Sequence, residues 1–248
     1  MSFIKKYWLV VCATVAVVAF TALPSFFFFQ RVDDNFRGVY PVFNGDAFYY
    51  QARVQEIADG HPGLNRPYFF ENKHRVFPQA TGAEFFLYGI SKLSGLSAPE
   101  MQVPLDIVTP AVIFLLTCLL LKRFSTNEYT AVLFPTLLYT VVMGGIFKPV
   151  SPQITLPLLL LFLIFWVKLI NEREHKWRNA VFAGILWGTL FLTYLYNWSF
   201  AVVLVGLYAL VLCVTRSFAE LKYHGLMTGV AVIIGIPYFV RLWQGLSA

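Results

Sequence analysis

Charged side chains are scarce in this sequence. Asp, Glu, Lys and Arg together make up 13% of the 248 residues, whereas a typical soluble domain contains roughly 25%. Hydrophobic residues reach 58% and aromatic residues 18%. Such a composition cannot cover a protein with a water-exposed surface of ordinary polarity. Lipid must therefore form part of the solvent around the chain.

Cysteine is also rare, and several familiar catalytic motifs are missing. Cys12, Cys118 and Cys213 lie far apart in apolar runs and form no CxxC pair, so neither a disulfide framework nor a thiolate metal site is indicated. The chain contains no phosphate-binding GxxxxGK[ST], no HExxH and no GxSxG motif. Many basic residues behind the net charge of +6 lie in short loops between apolar runs, which indicates membrane orientation and not nucleic-acid binding.

Long apolar runs dominate the sequence. The first, residues 7–29, carries no charge and is long enough to cross a bilayer. It is too long for the apolar part of a signal peptide, so we expect an uncleaved anchor. Six more runs follow a polar segment, and they lie near 105–121, 129–147, 153–170, 178–197, 199–215 and 225–243. We predict an all-α membrane protein with about seven transmembrane helices: an anchor (1–29), an external loop domain (30–104) and a six-helix bundle (105–248).

The polar segment 30–104 differs sharply in composition from the rest of the chain. It holds four of the five Asp and four of the eight Glu residues. Long connections of this kind usually carry function or contain helices of their own. We predict one helix over Asp46–Ala58 and a second, with a broad apolar face, over Thr81–Leu93. The second helix is expected to lie in the membrane interface.

Charge asymmetry predicts the orientation. Charged loops occur at 122–123, 172–176 and 216–222. With a cytoplasmic N-terminus all three lie in the cytoplasm, as the positive-inside rule requires, and segment 30–104 lies outside. Asp106 and Arg241 are the charges nearest the helix ends, and the spans are expected to hold almost no buried ionisable group. This expectation disfavours a proton-coupled transporter.

The sharpest candidate site is the sequence around Asp46. Asn44-Gly45 places Asp46 at a helix start, and helical spacing puts Tyr49, Tyr50 and Arg53 on or near the same face. A carboxylate there can accept a proton from an attacking hydroxyl or hold a metal that neutralises a phosphate. The alternative is that Asp46 only caps the helix N-terminus.

A second cluster lies within 68–75, where aromatic residues precede acidic, basic and histidine side chains. Lys and Arg at a membrane surface suit a phosphate or pyrophosphate head group, and Lys148 in a later external loop could join them. The alternative is a solvated charge run against lipid head groups. His61 has no second histidine at ligand spacing, and no metal ligand is assigned. The members of the cluster are Glu71, Lys73, His74 and Arg75.

The order of these features resembles the first external loop of the GT-C superfamily of membrane glycosyltransferases. The resemblance covers residues 1–122. It consists of the anchor, the stretch Asn44–Arg53, then Ile57–His61, a proline-containing stretch, the helix within Glu84–Leu93, and Gly95-Leu96-Ser97 before the next span. The turn from Leu192 to Trp198 is similar to an aromatic-rich external turn of oligosaccharyltransferase subunits.

The resemblance implies a GT-C-like fold and a catalytic acid at Asp46. It also implies transfer of a sugar from a polyprenyl-phosphate donor to an acceptor on the external face of a bacterial or archaeal plasma membrane. The alternative is a non-catalytic membrane subunit that binds a lipid-linked sugar or a partner enzyme. No cofactor is assigned, and a divalent Mg²⁺ or Mn²⁺ is left open. The loop 144–153 argues against such a metal, because it has no acidic residue, unlike the corresponding loop of oligosaccharyltransferase subunits.

Overall fold

A computed structural model gives the fold and describes residues 3–38, 40–41, 45–63, 79–125, 127–146, 150 and 153–246. These residues form nine α-helices and no β-strand. A short 3-10 turn, Asp33–Asn35, follows the first helix. The helices are α1 (Phe3–Val32), α2 (Asp46–Ala58), α3 (Gly82–Ser94), α4 (Ala98–Leu121), α5 (Glu128–Ile146), α6 (Thr155–Asn171), α7 (Lys176–Thr193), α8 (Leu195–Val214) and α9 (Phe218–Leu246).

In the described part of the chain, four helices are long and apolar enough to cross a bilayer, and a shorter apolar helix, α6, adds to them. The four stretches are Tyr7–Asn35, Ala98–Leu121, Leu195–Val214 and Phe218–Gly245. The all-helical fold and the membrane character predicted from the sequence are thereby confirmed. The count of seven spans stays a prediction.

The helices of the polar segment agree closely with the sequence pattern. The range predicted for α2 is confirmed, and α3 lies one residue further along the chain than predicted. Gly60 and Gly95 follow their ends with φ of 87° and 73°, a conformation that glycine adopts without the steric cost of a Cβ.

Three helices extend beyond the apolar runs that the sequence contains. The helix of the anchor run continues to Val32, α4 begins at Ala98 and not near 105, and α9 begins at Phe218, inside the charged loop 216–222. The early start of α4 follows from a capping box, in which the Ser97 hydroxyl accepts the Glu100 N–H and the Glu100 carboxylate accepts the Ser97 N–H. The early start of α9 is stabilised by an ion pair between Glu220 and Lys176 of α7.

The chain divides into two compact units. Unit 1 comprises residues 1–55 and 87–157. In it α1 packs against α4 and α5, and α1 and α4 run antiparallel. Lys122 at the end of α4 lies 4.0 Å from the ring centroid of Tyr7, while the Thr21 hydroxyl lies 3.3 Å from the Ile107 carbonyl oxygen. The start of α1 and the end of α4 therefore lie on one side, as alternating crossings require.

Unit 2 comprises residues 56–86 and 158–248. Its centre is the parallel pair α7 and α9, with α8 against both and α6 joined to α7 through Phe162 and Trp187, whose rings lie 6.0 Å apart. Gly184 and Gly188, one turn apart on α7, let the backbones approach closely. A Cβ on Gly188 would lie 2.6 Å from the Cβ of Ile234. Small residues at such spacing are typical of helix packing in lipid.

This contact gives a stability prediction. We expect Gly188→Ala to lower the thermal unfolding temperature of the protein in detergent, because the added methyl overpacks the α7–α9 contact, at a cost of about 1–3 kcal/mol.

Gly229→Ala on α9 is the matched control, because nothing lies within 4 Å of the position of its Cβ, and this change should leave the unfolding temperature unchanged or raise it. Equal effects of the two substitutions would contradict the packing. Intrinsic fluorescence during heating measures both variants.

Candidate functional site

The predicted face of α2 is formed by Asp46, Tyr49, Tyr50 and Arg53. Asp46 is exposed at the start of the helix, whereas Arg53 is only 1% exposed. The Arg53 Nη1 donates a 3.2 Å hydrogen bond to the Tyr49 hydroxyl, and the guanidinium lies 5.4 Å from the centroid of the Tyr49 ring. The rings of Tyr49 and Tyr50 meet edge to face at 5.3 Å. Arg53 thus fixes Tyr49 on the face that Asp46 begins.

Five predicted binding residues lie outside the described residues, namely Glu71, Lys73, His74, Arg75 and Lys148. In the described part of the chain, no group of three or more His, Cys, Asp and Glu side chains could hold a metal ion.

A buried carboxylate in unit 1 was missed by the sequence reasoning, which treated Asp106 only as a charge near a helix end. Asp106 lies in the third turn of α4 and is 1% exposed. Its Oδ1 accepts hydrogen bonds from the Nε2 atoms of Gln102, at 2.6 Å, and Gln153, at 2.5 Å. The Gln102 Nε2 also lies 3.3 Å from the Gln153 Oε1. Gln102 and Asp106 stand four positions apart, a spacing at which Gln and Asp side chains bond on one helix face.

The start of α4 is held in place by the segment that follows α1. Tyr40 donates a 3.1 Å hydrogen bond to Glu100 Oε1, and its ring packs against those of Phe36, at 5.1 Å, and Phe29, at 6.3 Å. Burial, followed by the hydrogen bond to Glu100 and the negative charge of that group, raises the pKa of the Tyr40 phenol. The same carboxylate closes the capping box of α4, so one side chain fixes both the loop and the helix.

A small cleft lies between α2, α3 and the start of α4. It is lined by Tyr50 and Gln51 of α2, by Leu87 of α3, and by Met101 and Gln102 of α4, among others. Gln102 therefore faces the cleft and also bonds Asp106. The exposed face of α2 and the buried polar cluster belong to the same end of unit 1.

An apolar groove lies further along the spans of unit 1. Its volume is 320 Å³, and its walls come from α1, α4 and α5. The Tyr139 hydroxyl is buried, and no described residue forms a hydrogen bond with it. Phe114 stands eight positions after Asp106, which places the groove about 12 Å further along α4. The lining residues are Ala13, Ala16, Val17, Phe20, Phe114, Thr136 and Tyr139.

At the polar end of unit 2, Arg241 of α9 forms hydrogen bonds with the polar segment. Its Nη1 donates to the Thr81 hydroxyl at 2.6 Å, and its Nη2 donates to the Gly63 carbonyl at 2.5 Å. A Cβ on Gly82 would lie 2.6 Å from the Leu192 carbonyl oxygen, so the start of α3 lies directly against the end of α7. These contacts give Arg241 a structural role in joining the polar segment to α9.

The aromatic turn singled out in the sequence packs within unit 2. Trp198 lies 5.1 Å from Phe191 and 6.0 Å from Tyr238, measured between ring centroids. Phe191 in turn lies 5.2 Å from Phe239. The turn therefore contributes its rings to the packing between α7, α8 and α9.

Comparison with known proteins gives no relative of this chain. No protein-family model, no curated protein and no solved structure matches it.

The buried cluster gives a second stability prediction. Gln102→Leu should lower the free energy of unfolding by about 1.5–3 kcal/mol, because it removes a hydrogen bond to a buried charged group. Thermal unfolding in detergent at fixed salt measures the loss.

The chemically matched control is Gln244→Leu on the exposed part of α9, which should have little effect. An unchanged unfolding temperature in Gln102→Leu would contradict the hydrogen bond to Asp106.

Proposed function

We propose that the chain is a membrane glycosyltransferase that transfers a sugar from a polyprenyl-phosphate-linked donor to an acceptor on the external face. The observation that carries the proposal is the apolar groove of unit 1, which lies at span depth on the same unit as the exposed carboxylate of Asp46. A prenyl chain is the part of such a donor that an apolar groove between spans would bind.

The proposal includes the seven-span topology with a cytoplasmic N-terminus and an external segment 30–104. Three contacts within the units are consistent with this topology. Lys122 bonds Glu128 at 3.0 Å, so the end of α4 and the start of α5 share a side. Lys176 pairs with Glu220, so the starts of α7 and α9 do as well. Gln102 and Gln153 meet, which brings the starts of α4 and α6 together.

In the proposed reaction the acceptor hydroxyl oxygen attacks the anomeric carbon of the sugar. The bond from that carbon to the phosphate oxygen breaks, and the polyprenyl phosphate leaves with the electron pair. Asp46 takes the hydroxyl proton or positions the acceptor. Lys73, His74, Arg75 and Lys148 are proposed to hold the phosphate through charge-assisted hydrogen bonds.

The remaining predicted residues have binding roles in this proposal. Tyr49 and Tyr50 offer aromatic faces and hydroxyls beside Asp46, and Arg53 holds Tyr49 in place. Glu71 is proposed to bind the sugar or the acceptor. Stabilisation of the charge on the leaving phosphate is expected to be the larger catalytic contribution.

A second candidate function is a non-catalytic subunit that binds a lipid-linked sugar. It is favoured by the acid-free loop 144–153, which offers no carboxylate for a metal at the leaving phosphate. Both functions need the lipid donor to bind, and only the first needs Asp46 for turnover.

Asp46→Asn tests the enzyme. Membranes that carry the wild-type chain should transfer radiolabelled sugar from polyprenyl-phosphate donors, and the variant should lose about 100-fold or more of this activity because it lacks a proton acceptor. Retention of the donor by the variant is measured in parallel.

Asp59→Asn at the other end of α2 makes the same charge change at an exposed position and should keep full activity. Full transfer by Asp46→Asn would exclude the catalytic role. If the wild type and the variant both bind the donor and neither transfers sugar, the result would support the non-catalytic subunit.

The groove gives a separate test. Ala16→Phe should fill it and raise the KM for long-chain donors while leaving the KM for a donor with a short prenyl chain unchanged. Val15→Phe, at an adjacent α1 position that is 62% exposed, is the control and should change neither KM. Equal effects of both substitutions on long-chain donors would argue against the groove as the carrier site.

A further inference from the structure

Asp106 is a buried carboxylate to which the described residues offer no countercharge. It lies inside the apolar stretch Ala98–Leu121, and in the described part of the chain its hydrogen bonds come from the neutral amides of Gln102 and Gln153. No Lys, Arg or His of the described ranges forms an ion pair with it. A lone buried charge is costly in such surroundings, so a positive partner, either a proton or a cation, is expected at this group.

The two amides leave half of the carboxylate open. Both Nε2 atoms donate to Oδ1, and the described residues give Oδ2 no hydrogen-bond donor. The oxygen of Gln153 lies within the same cluster, 3.3 Å from the Gln102 nitrogen. The cluster thus combines one carboxylate with two side-chain amides, and each amide carries an oxygen of the kind that binds hard cations.

Two further hydroxyl groups are buried in unit 1, those of Ser25 and Thr155, and the described residues give neither a hydrogen-bond partner. Ser25 is 3% exposed and Thr155 is 0% exposed. Thr155 stands two residues after Gln153, which bonds Asp106. Buried hydroxyls in native proteins nearly always have a partner, so the oxygens of these two are available as ligands.

The register of α1 against α4 brings Ser25 to the level of this cluster. Thr21 reaches the carbonyl oxygen of Ile107, and Ser25 follows one turn later on the same face. Because the two helices are antiparallel, that turn faces the part of α4 that precedes Ile107, where Gln102 and Asp106 lie.

The ligand chemistry indicates a small monovalent metal ion. All the candidate ligands are hard oxygens, with no thiolate or imidazole among them, which disfavours zinc and copper. A single carboxylate neutralises a single positive charge, whereas a divalent ion in this cluster would leave one charge uncompensated in an apolar region. A proton would neutralise Asp106 but would leave the hydroxyls of Ser25 and Thr155 without a role.

We propose that Asp106, Gln102, Gln153, Ser25 and Thr155 form a binding site for an alkali-metal cation of sodium size. Such an ion would link α1, α4 and the start of α6 through oxygen ligands. The proposal does not depend on the glycosyltransferase function, because it concerns a different set of side chains.

The thermal unfolding temperature of the purified full chain tests the site. It is measured in sodium chloride and in N-methylglucamine chloride of equal ionic strength at one pH. Sodium should raise the unfolding temperature in a saturable way, because a ligand that binds only the folded state stabilises it. Asp106→Asn should abolish the rise, and Asp59→Asn should retain it.

Thr155→Val is the second variant, in case Asp106→Asn does not fold. It removes one neutral ligand and should raise the half-saturating sodium concentration by about tenfold. Sodium isotope binding to the wild type, competed by unlabelled sodium, gives a direct readout.

Three results would overturn the proposal. The first is identical unfolding in sodium and N-methylglucamine. The second is a rise that survives Asp106→Asn. The third is stabilisation by lowered pH or by divalent cations alone, which would assign the countercharge to a proton or to a different ion.

Discussion

A polar side chain that enters the apolar part of this protein has to find its partner inside the protein, because lipid offers none. This constraint shapes the whole structure. It confines most charges to the helix ends, where Lys122 meets Glu128 and Lys176 meets Glu220. It also explains why Gln102 and Gln153 converge on Asp106. The buried cluster thereby holds the start of α4 to the segment before α6.

The same constraint separates two ways in which the helices pack. In unit 2, α7 and α9 approach through Gly184 and Gly188, so contact between backbones replaces the burial of large side chains. In unit 1, α1 and α4 meet through Thr21 and through the cation–π contact of Lys122 with Tyr7. Packing in unit 2 is therefore tight and apolar, while unit 1 combines a polar cluster with an apolar groove.

This combination is what makes unit 1 the better candidate for chemistry. A lipid-linked substrate has an apolar tail and a polar head, and a protein that handles it needs both environments within one molecule. In the proposed function, the groove beside Tyr139 would take the apolar tail and the exposed carboxylate of Asp46 would face the polar head. The polar end of unit 2 differs, because Arg241 is already engaged by Thr81 and Gly63.

Several features followed from the sequence alone. Composition required a membrane, because the chain has too few charges to cover itself against water. Helical periodicity and a Gly after each end gave the ranges of α2 and α3 almost without error. The face of α2 that carries Asp46, Tyr49 and Arg53 was also predictable, since a helix repeats every 3.6 residues.

Other features were decided only by tertiary structure. The burial of Arg53 and its bond to Tyr49 depend on what packs over α2, and α4 begins at Ala98 because a capping box outweighs the local drop in hydropathy. The Asp106 cluster joins Gln102 to Gln153, 51 positions along the chain. Local sequence determines which residues can form a helix, but it carries no information on which distant side chains will meet. That choice depends on how the helices pack, and in this protein it determines where the buried charge lies.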